Sequence, residues 1–378
     1  MSARTEPIRL GIIGTGLAVE KLHWPALRRM PDRFQVVAFA NDRRDAAEQV
    51  AVRAGLSMDG YHDDYQDLLK RDDIEAVLVT LPIPLLLSAT RAALEAGKDV
   101  LSEKPPGADL DQAREFLRFE EEYPDRTILV GENFLYRDDL RLARSLLDSG
   151  AIGRPHLMAW RQVFHLIPRE GTFSSTPWRW APGYRGGPQL DAGIHHIGQI
   201  RLLCGDIEKL QGFVQYANPT HGGPSDLTLN MQFAGGAVGN YIGAHLPIPA
   251  PEEPNEMRLY GRDGIIAIKH RLVRVLRPDG TNEEHQIETE DLGYYNEWRN
   301  FHDALVHGEP VVGTIAQSFH NLLIVMRALD SAEQGVTIDI SDAPNGLNEI
   351  GVPLWRPRGA TGLFDGLAVK VTTSVVKR

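Results

Sequence analysis

Ile8-Arg9-Leu10-Gly11-Ile12-Ile13-Gly14-Thr15-Gly16 is a short apolar run with β-branched residues that leads into a glycine-bounded turn. The run reads as a buried strand, and the pattern from Leu17 to Met30 after it reads as a helix. In a strand, glycine turn and helix, the first glycine permits the bend and the second lets a pyrophosphate approach the backbone. The helix N-terminus adds free N–H groups and a partial positive charge. Val19 stands where a third small residue is expected, so the motif is imperfect and its weight comes from its context.

That context is an alternation. Gln35–Ala40, Glu75–Thr80, Asp99–Ser102 and Thr127–Val130 read as strands. Between them lie helical patterns over Arg43–Ala54, closed by Gly55, over Leu85–Ala96, ended by Gly97, and from an Asp109 cap to about Tyr123. Strands separated by helices imply right-handed crossovers and a doubly wound parallel sheet over residues 1–130. Beyond about residue 150 the rhythm changes. Arg154–His165, Ile207–Ala217, Leu227–Phe233, Ala237–His245, Met257–Tyr260 and Leu272–Leu276 read as longer strands, several of them alternating. Helices are expected over Gln189–Leu203, Glu290–His307 and Ile315–Gln334, and a proline-rich surface loop over Pro247–Pro254. The expectation is an α/β Rossmann domain followed over 131–345 by an α+β domain with a large, mainly antiparallel open sheet, and then a tail over 346–378.

The 378 residues carry 40 basic and 51 acidic side chains, a formal net charge of −11 without long like-charged blocks, which argues against nucleic acid as a partner. The one cysteine, Cys204, excludes an intrachain disulfide and a thiolate metal cluster, and no histidine pair forms a recognisable metal-ligand set. Met1–Pro7 lacks a signal-peptide core and no long apolar run occurs, so a cytoplasmic protein away from membranes is expected.

Three segments carry a resemblance: Gly11–Gly16; Ala92-Ala93-Leu94-Glu95-Ala96-Gly97-Lys98-Asp99-Val100-Leu101-Ser102-Glu103-Lys104-Pro105; and Gly186-Gly187 with Asp191-Ala192-Gly193-Ile194-His195. Their order and spacing resemble the glucose-fructose oxidoreductase and inositol dehydrogenase (Gfo/Idh/MocA) family over nearly the whole chain. The resemblance implies oxidation or reduction of one carbinol carbon of a sugar, cyclitol or related polyol with NAD or NADP. It also implies an open sheet that packs against another subunit, hence a homo-oligomer, dimer or tetramer. It places Lys104 beside the nicotinamide and the reacting oxygen, and maps an Asp-x-x-x-His pair onto Asp191 and His195. That pair is expected on one helix face.

The chemistry suits these residue types. Removing hydride from a secondary alcohol requires that the hydroxyl proton leave too, and an imidazole can take it near neutrality, which makes His195 the candidate base. Lys104 can stabilise the alkoxide, and Asp191 can orient the imidazole or a substrate hydroxyl. The competing readings are a helix cap for Asp191, an interior histidine for His195, and a solvated strand end for Lys104. Gly14, Thr15, Gly16, Leu17, Asn41, Asp42, Arg43, Thr80, Leu81, Pro82 and Glu103 are the candidate cofactor contacts, with Glu103 alternatively bracing its loop. Asn41 replaces the acid that favours NAD, and Arg43 and Arg44 are suited to a 2′-phosphate, which leans the reading to NADP despite Asp42. Tyr136, His165, Trp178, Arg179, Tyr184 and His196 are substrate-wall candidates, Arg179 for a hydroxyl or acidic group. Thr80-Leu81-Pro82-Ile83-Pro84-Leu85-Leu86 is apolar where the family commonly has polar groups, and Gly198 replaces a common acid. Two rivals share the fold: a nucleotide-binding sensor without turnover, and a glycosidase that uses tightly held NAD.

Overall fold

The computed structural model describes residues 6–248, 255–340, 351–362 and 365–375. The chain forms two compact units, Met1–Asn133 with Tyr294–Phe319, and Phe134–Gly293 with His320–Arg378.

Among the described residues, the first unit contains the strands β1 (Ile8–Ile13), β2 (Phe34–Ala40), β3 (Tyr61–His62), β4 (Ala76–Val79), β5 (Asp99–Glu103) and β6 (Ile128–Gly131). They pair in parallel in the order β3-β2-β1-β4-β5-β6. This is the dinucleotide-binding order, with the reversal beside β1. β4 is buried at every position because helices cover both sheet faces, which is why it reads as an unbroken apolar run. Val77, Val79, Leu86, Phe116 and Phe119 lie in its core. Gly55 ends the helix Arg44–Ala54 in a left-handed conformation, and the Asp109 carboxylate accepts from the Gln112 N–H at 2.8 Å at the start of Leu110–Leu117. That helix stops at Arg118, and Phe119–Glu122 continues as a separate turn, where one helix was expected.

The segment after the glycine turn also departs from expectation. Instead of a uniform α-helix to Met30, Val19–His23 is a π-helical turn, closed by Trp24 N–H to Val19 O, and an α-helical turn spans Trp24–Leu27. Val19 itself is fully buried. The π turn begins at this valine, the position where the usual fingerprint has a smaller residue. A second departure is the return of Tyr294–Phe319 to the first unit, where Trp298 and Phe301 meet Phe34 with ring centroids 5.0 and 6.4 Å away. Contacts so distant in sequence leave no local pattern, and reading 131–345 as one continuous block does not anticipate them.

In the second unit the described strands are β7 (Pro155–His165), β8 (Ile207–Gln215), β9 (Asp226–Phe233), β10 (Val238–Leu246), β11 (Met257–Gly261), β12 (Gly264–Lys269), β13 (Leu272–Leu276), β14 (Thr281–Ile287), β15 (Ile338–Asp339) and β16 (Val369–Val375). They form one sheet in the order β15-β8-β9-β10-β7-β11-β12-β13-β14-β16. Its pairs are antiparallel except β7 with β10, which run in parallel from Leu157↔Val238 to His165↔Leu246. β16 pairs with β14, so part of the expected tail over 346–378 is an edge strand. The expected Pro247–Pro254 loop lies largely outside the described residues.

The expected helix Gln189–Leu203 is two helices, Gly187–Asp191 and Gly193–Cys204, joined at Ala192. On the second, Arg201 is fully buried and donates to Asp206 Oδ1 from Nε at 2.9 Å and Nη2 at 2.8 Å, and to Asn321 Oδ1 at 2.8 Å. Burial, with Arg201 nearby, pushes the His320 pKa down to about 3, so the neutral ring accepts from the guanidinium. A buried pair stabilises little against an apolar equivalent, yet losing one partner leaves the other charge stranded. Arg201→Met is therefore expected to lower unfolding free energy by about 3 kcal/mol in urea titrations. Adding Asp206→Leu should recover part of that loss. Unchanged stability in the single variant would show that the pair is not closed in solution.

Candidate active site

In the first unit the geometry begins at Gly14, whose φ of +89° is reached cheaply by glycine alone; a Cβ there would meet Thr80 O and Leu81 Cδ2, each at 2.9 Å. Thr80 Oγ1 donates to Gly14 O, and Gly14 N–H donates to Ala40 O at 2.9 Å, so the turn is tied to both neighbouring strands. A Cβ added at Gly16 meets nothing within 4 Å, which leaves that backbone approachable. Leu17 and Pro82 are half-buried. Asn41 Nδ2 donates to Thr15 Oγ1 at 2.9 Å, and Asn41 Oδ1 accepts from Arg43 N–H at 2.9 Å. Asp42 is exposed. Arg43 pairs with Asp45 at 2.7 Å and Arg44 with Glu48 at 3.0 Å, all on the surface, where such pairs contribute little and exchange readily.

Lys104 follows directly on the C-terminal end of β5, the sheet edge from which the glycine turn leaves β1. Its peptide bond to Pro105 is cis. Glu103 braces it: one carboxylate oxygen accepts from Lys104 N–H at 3.2 Å, the other lies 2.9 Å from His23 Nε2. His23 is fully buried, and its Nδ1 lies 3.2 Å from Trp298 Nε1. An indole nitrogen can only donate, so His23 Nδ1 must be the acceptor and the ring proton sits on Nε2, facing Glu103. The bonds run one way, from Trp298 through His23 to Glu103. Both carboxylate oxygens of Glu103 thus meet groups of the protein, an arrangement that suits a brace in its loop.

In the second unit a cavity of about 230 Å³ is lined by Phe164, His165, Leu166, Phe173, Arg179, Tyr184, Gly187, Pro188, Asp191, Ala192, His221 and His245. Arg179 Nε donates to Asp191 Oδ2 at 2.5 Å, Nη2 to Oδ1 at 3.4 Å, and Nη1 to Thr176 Oγ1 at 2.8 Å. Three of the five guanidinium N–H groups are thereby used, two of them on the Asp191 carboxylate, which neutralises the Arg179 charge within the wall. Gly187 has φ +46°, and a Cβ there would overlap Gly222 O, so its lack of a side chain lets the His221 loop close against the helix bearing Asp191.

The expected residues divide accordingly. His165, Arg179, Tyr184 and Asp191 line the cavity, and Trp178 stands behind it, under the Arg179 guanidinium at 4.1 Å and 6.4 Å from the Tyr184 ring. His195 is not among the lining residues; it is 9 % exposed and stacks on Phe134 at 4.8 Å. The break at Ala192 puts Asp191 and His195 on separate helices, where one helix face shared by both was expected. Tyr136 and His196 do not line this cavity either. Tyr136 is fully buried against Trp355. His196 sits among Trp160, Phe164 and Tyr241, with Nδ1 2.6 Å from the Tyr241 hydroxyl, and burial holds its pKa well below the ordinary value. Sequence reasoning missed His221 and His245. The signal for His245 is parity, since Gly239, Tyr241, Gly243 and His245 all face inward on the alternating β10.

Comparison with known proteins follows this division. The model described as an oxidoreductase family with an NAD-binding Rossmann fold matches residues 8–131, and that of the GFO/IDH/MocA C-terminal domain matches 140–267. The chain belongs to the GFO/IDH/MocA oxidoreductase family. An uncharacterized Saccharomyces cerevisiae protein is 25% identical over 86% of this chain and 96% of its own. A dTDP-3,4-didehydro-2,6-dideoxy-alpha-D-glucose 3-reductase from Actinomadura kijaniata is 34% identical over 54% of this chain and 59% of its own length. Among solved structures, an oxidoreductase from Thermotoga maritima superposes with a TM-score of 0.80 at 29% identity, covering 89% of this chain and 99% of that one.

The GFO/IDH/MocA cofactor fits the residues present. Past Gly14, whose N–H is used by Ala40 O, the Thr15–Leu17 backbone is where a pyrophosphate would sit, Thr80 to Pro82 flank the turn, and Asn41 and Arg43 stand just past the end of β2, where an adenosine ribose would be recognised. Gly14→Val is expected to cost about 1–3 kcal/mol of local strain and to weaken NADH binding about ten-fold or more, read by fluorescence titration and thermal melting. Wild-type affinity in that variant would remove the turn from the site.

Proposed function

We propose that this NAD(P)-dependent oxidoreductase interconverts one carbinol and its ketone on a sugar, cyclitol or related polyol. The supporting observation is the place of Lys104 at the C-terminal end of β5, on the ligand-binding edge of the doubly wound sheet, braced through Glu103 and His23. The relatives' names agree in kind: a dTDP-sugar reductase and an inositol 2-dehydrogenase from Saccharopolyspora erythraea, the latter 30% identical over 53% of this chain. The nicotinamide, when bound, supplies the hydride acceptor or donor. Lys104 donates a hydrogen bond to the substrate oxygen as it gains charge, and His195 takes the hydroxyl proton, returning it in the reverse direction. Phe134, stacked on the His195 ring, limits its rotation. Asp191, held by Arg179, accepts from a substrate hydroxyl and so orients the ring.

NADP is preferred over NAD in this reading, because Asn41 presents no carboxylate to repel a 2′-phosphate and the exposed Arg43 can leave Asp45 for it. The reading also includes a cytoplasmic homo-oligomer, a dimer or tetramer; no helix among the described residues is long and apolar enough to cross a membrane.

A screen of sugars, cyclitols and their keto forms with both nicotinamides, followed at the reduced-cofactor absorbance, tests the activity. On the substrate found, His195→Asn and Lys104→Met are each expected to lower turnover roughly 10²- to 10⁴-fold while NADPH binding stays near wild type. Full turnover in either variant would refute its role, and tighter binding of NADH than NADPH would refute the cofactor preference.

A further inference from the structure

Two buried histidines in the second-unit cavity have hydrogen-bonding capacity that no described residue meets. His245 is 3 % exposed and His221 6 % exposed, and both line the cavity. The His245 Nδ1 lies 3.0 Å from Ser225 O, so a hydrogen must sit on Nδ1, because two lone pairs at that separation repel. The Gln189 side-chain nitrogen, 2.7 Å from the same carbonyl, is a second donor to it, which accounts for its 3.3 Å approach to His245 Nδ1. With its proton on Nδ1, the neutral His245 ring keeps Nε2 as a bare acceptor, and that atom is buried without a partner. Both ring nitrogens of His221 are likewise buried without partners. Burial lowers the pKa of each ring, and for His221 the nearby His245 and Arg179 add to the effect, so both are neutral near pH 7.

The rest of the wall adds no net charge. Arg179 and Asp191 are closed on each other, and Phe164, Phe173, Leu166 and Pro188 are apolar. An anion entering here would exchange water for neutral imidazoles and a guanidinium whose charge Asp191 already neutralises, with the Asp191 carboxylate itself close by, a costly desolvation. A hydroxyl loses far less, because it can donate to His245 Nε2 and both donate to and accept from His221. About 230 Å³ is also room for one small molecule rather than a single bridging water.

We propose that His221 and His245 are specificity-determining residues that make this cavity a site for an uncharged, hydroxyl-bearing molecule and turn away its carboxylated or phosphorylated counterparts. This rests on the functional reading above, since the cavity would hold the molecule whose carbinol reacts. It goes further in assigning ligand charge and two residues that recognise it.

The test uses the full chain and calorimetric titration with an uncharged panel of hexoses, pentoses and cyclitols. Each is paired with its uronate or phosphate, as in D-glucose, D-glucuronate and D-glucose 6-phosphate. At least one uncharged compound is expected to bind ten-fold or more tightly than its charged partners. His245→Leu and His221→Leu should each weaken it about 3- to 10-fold, with His245→Gln, which restores an acceptor, closer to wild type. NADH titration of the same samples reports folding and the nucleotide site separately, so its loss in the wild type would count against the functional reading instead. Equal or tighter binding of the anion, no binding by any uncharged compound, or unchanged affinity in both leucine variants overturns the proposal.

Discussion

An indole N–H has no lone pair to offer in return, and that one-way character is the constraint on which the lysine loop depends. Trp298 can only donate to His23, His23 can then only donate to Glu103, and Glu103 is left to accept from Lys104 N–H. None of these bonds can reverse without leaving a buried polar atom unsatisfied, which costs about 1–3 kcal/mol. The aromatic packing of Tyr294 and Trp298 around the His23 ring, at centroid distances of 4.9 and 5.9 Å, keeps water from competing. The backbone at Lys104 is therefore held by a chain of bonds that ends 194 positions further along the sequence, at Trp298.

The second unit solves a different problem. Its cavity places charged side chains beside apolar ones, yet the strongest charges cancel within the wall through Arg179 and Asp191. The polar atoms left over in the wall include the neutral imidazole nitrogens of His221 and His245. Phe164 contributes twice, lining the cavity and stacking on both His196 and His245 at 5.6 and 5.7 Å, so it fixes the rings from behind while presenting an apolar face.

What was legible in the sequence follows the range of the interactions. The turn at Gly14, the end of the helix at Gly55 and the cap at Asp109 are decided within a few residues, and the order of elements in the first sheet follows from their alternation. The Asp109 carboxylate, for instance, reaches its partner N–H three residues on. His23 and Trp298 are 275 positions apart, and nothing near either one announces the other. Tyr136 and His196 show a related limit. An aromatic residue with a polar tip suits both a wet pocket and a satisfied interior, and only the neighbours, Trp355 for one and Tyr241 for the other, decide between them. His245 was readable from the inward parity of β10, whereas the engagement of Arg179 with Asp191 was not, since a loop arginine carries no record of its partner.

The first unit is assembled from two separated stretches, and this sets an order on events during synthesis. When Met1–Asn133 has left the ribosome, every strand of the parallel sheet is present, but the indole that orients His23 has not yet been translated. The whole of the intervening Phe134–Gly293 must emerge first. A nascent chain can therefore complete its nucleotide-binding sheet early and its lysine loop only late, and a fragment cut at the end of that sheet would carry Lys104 without the partner that holds its brace in register.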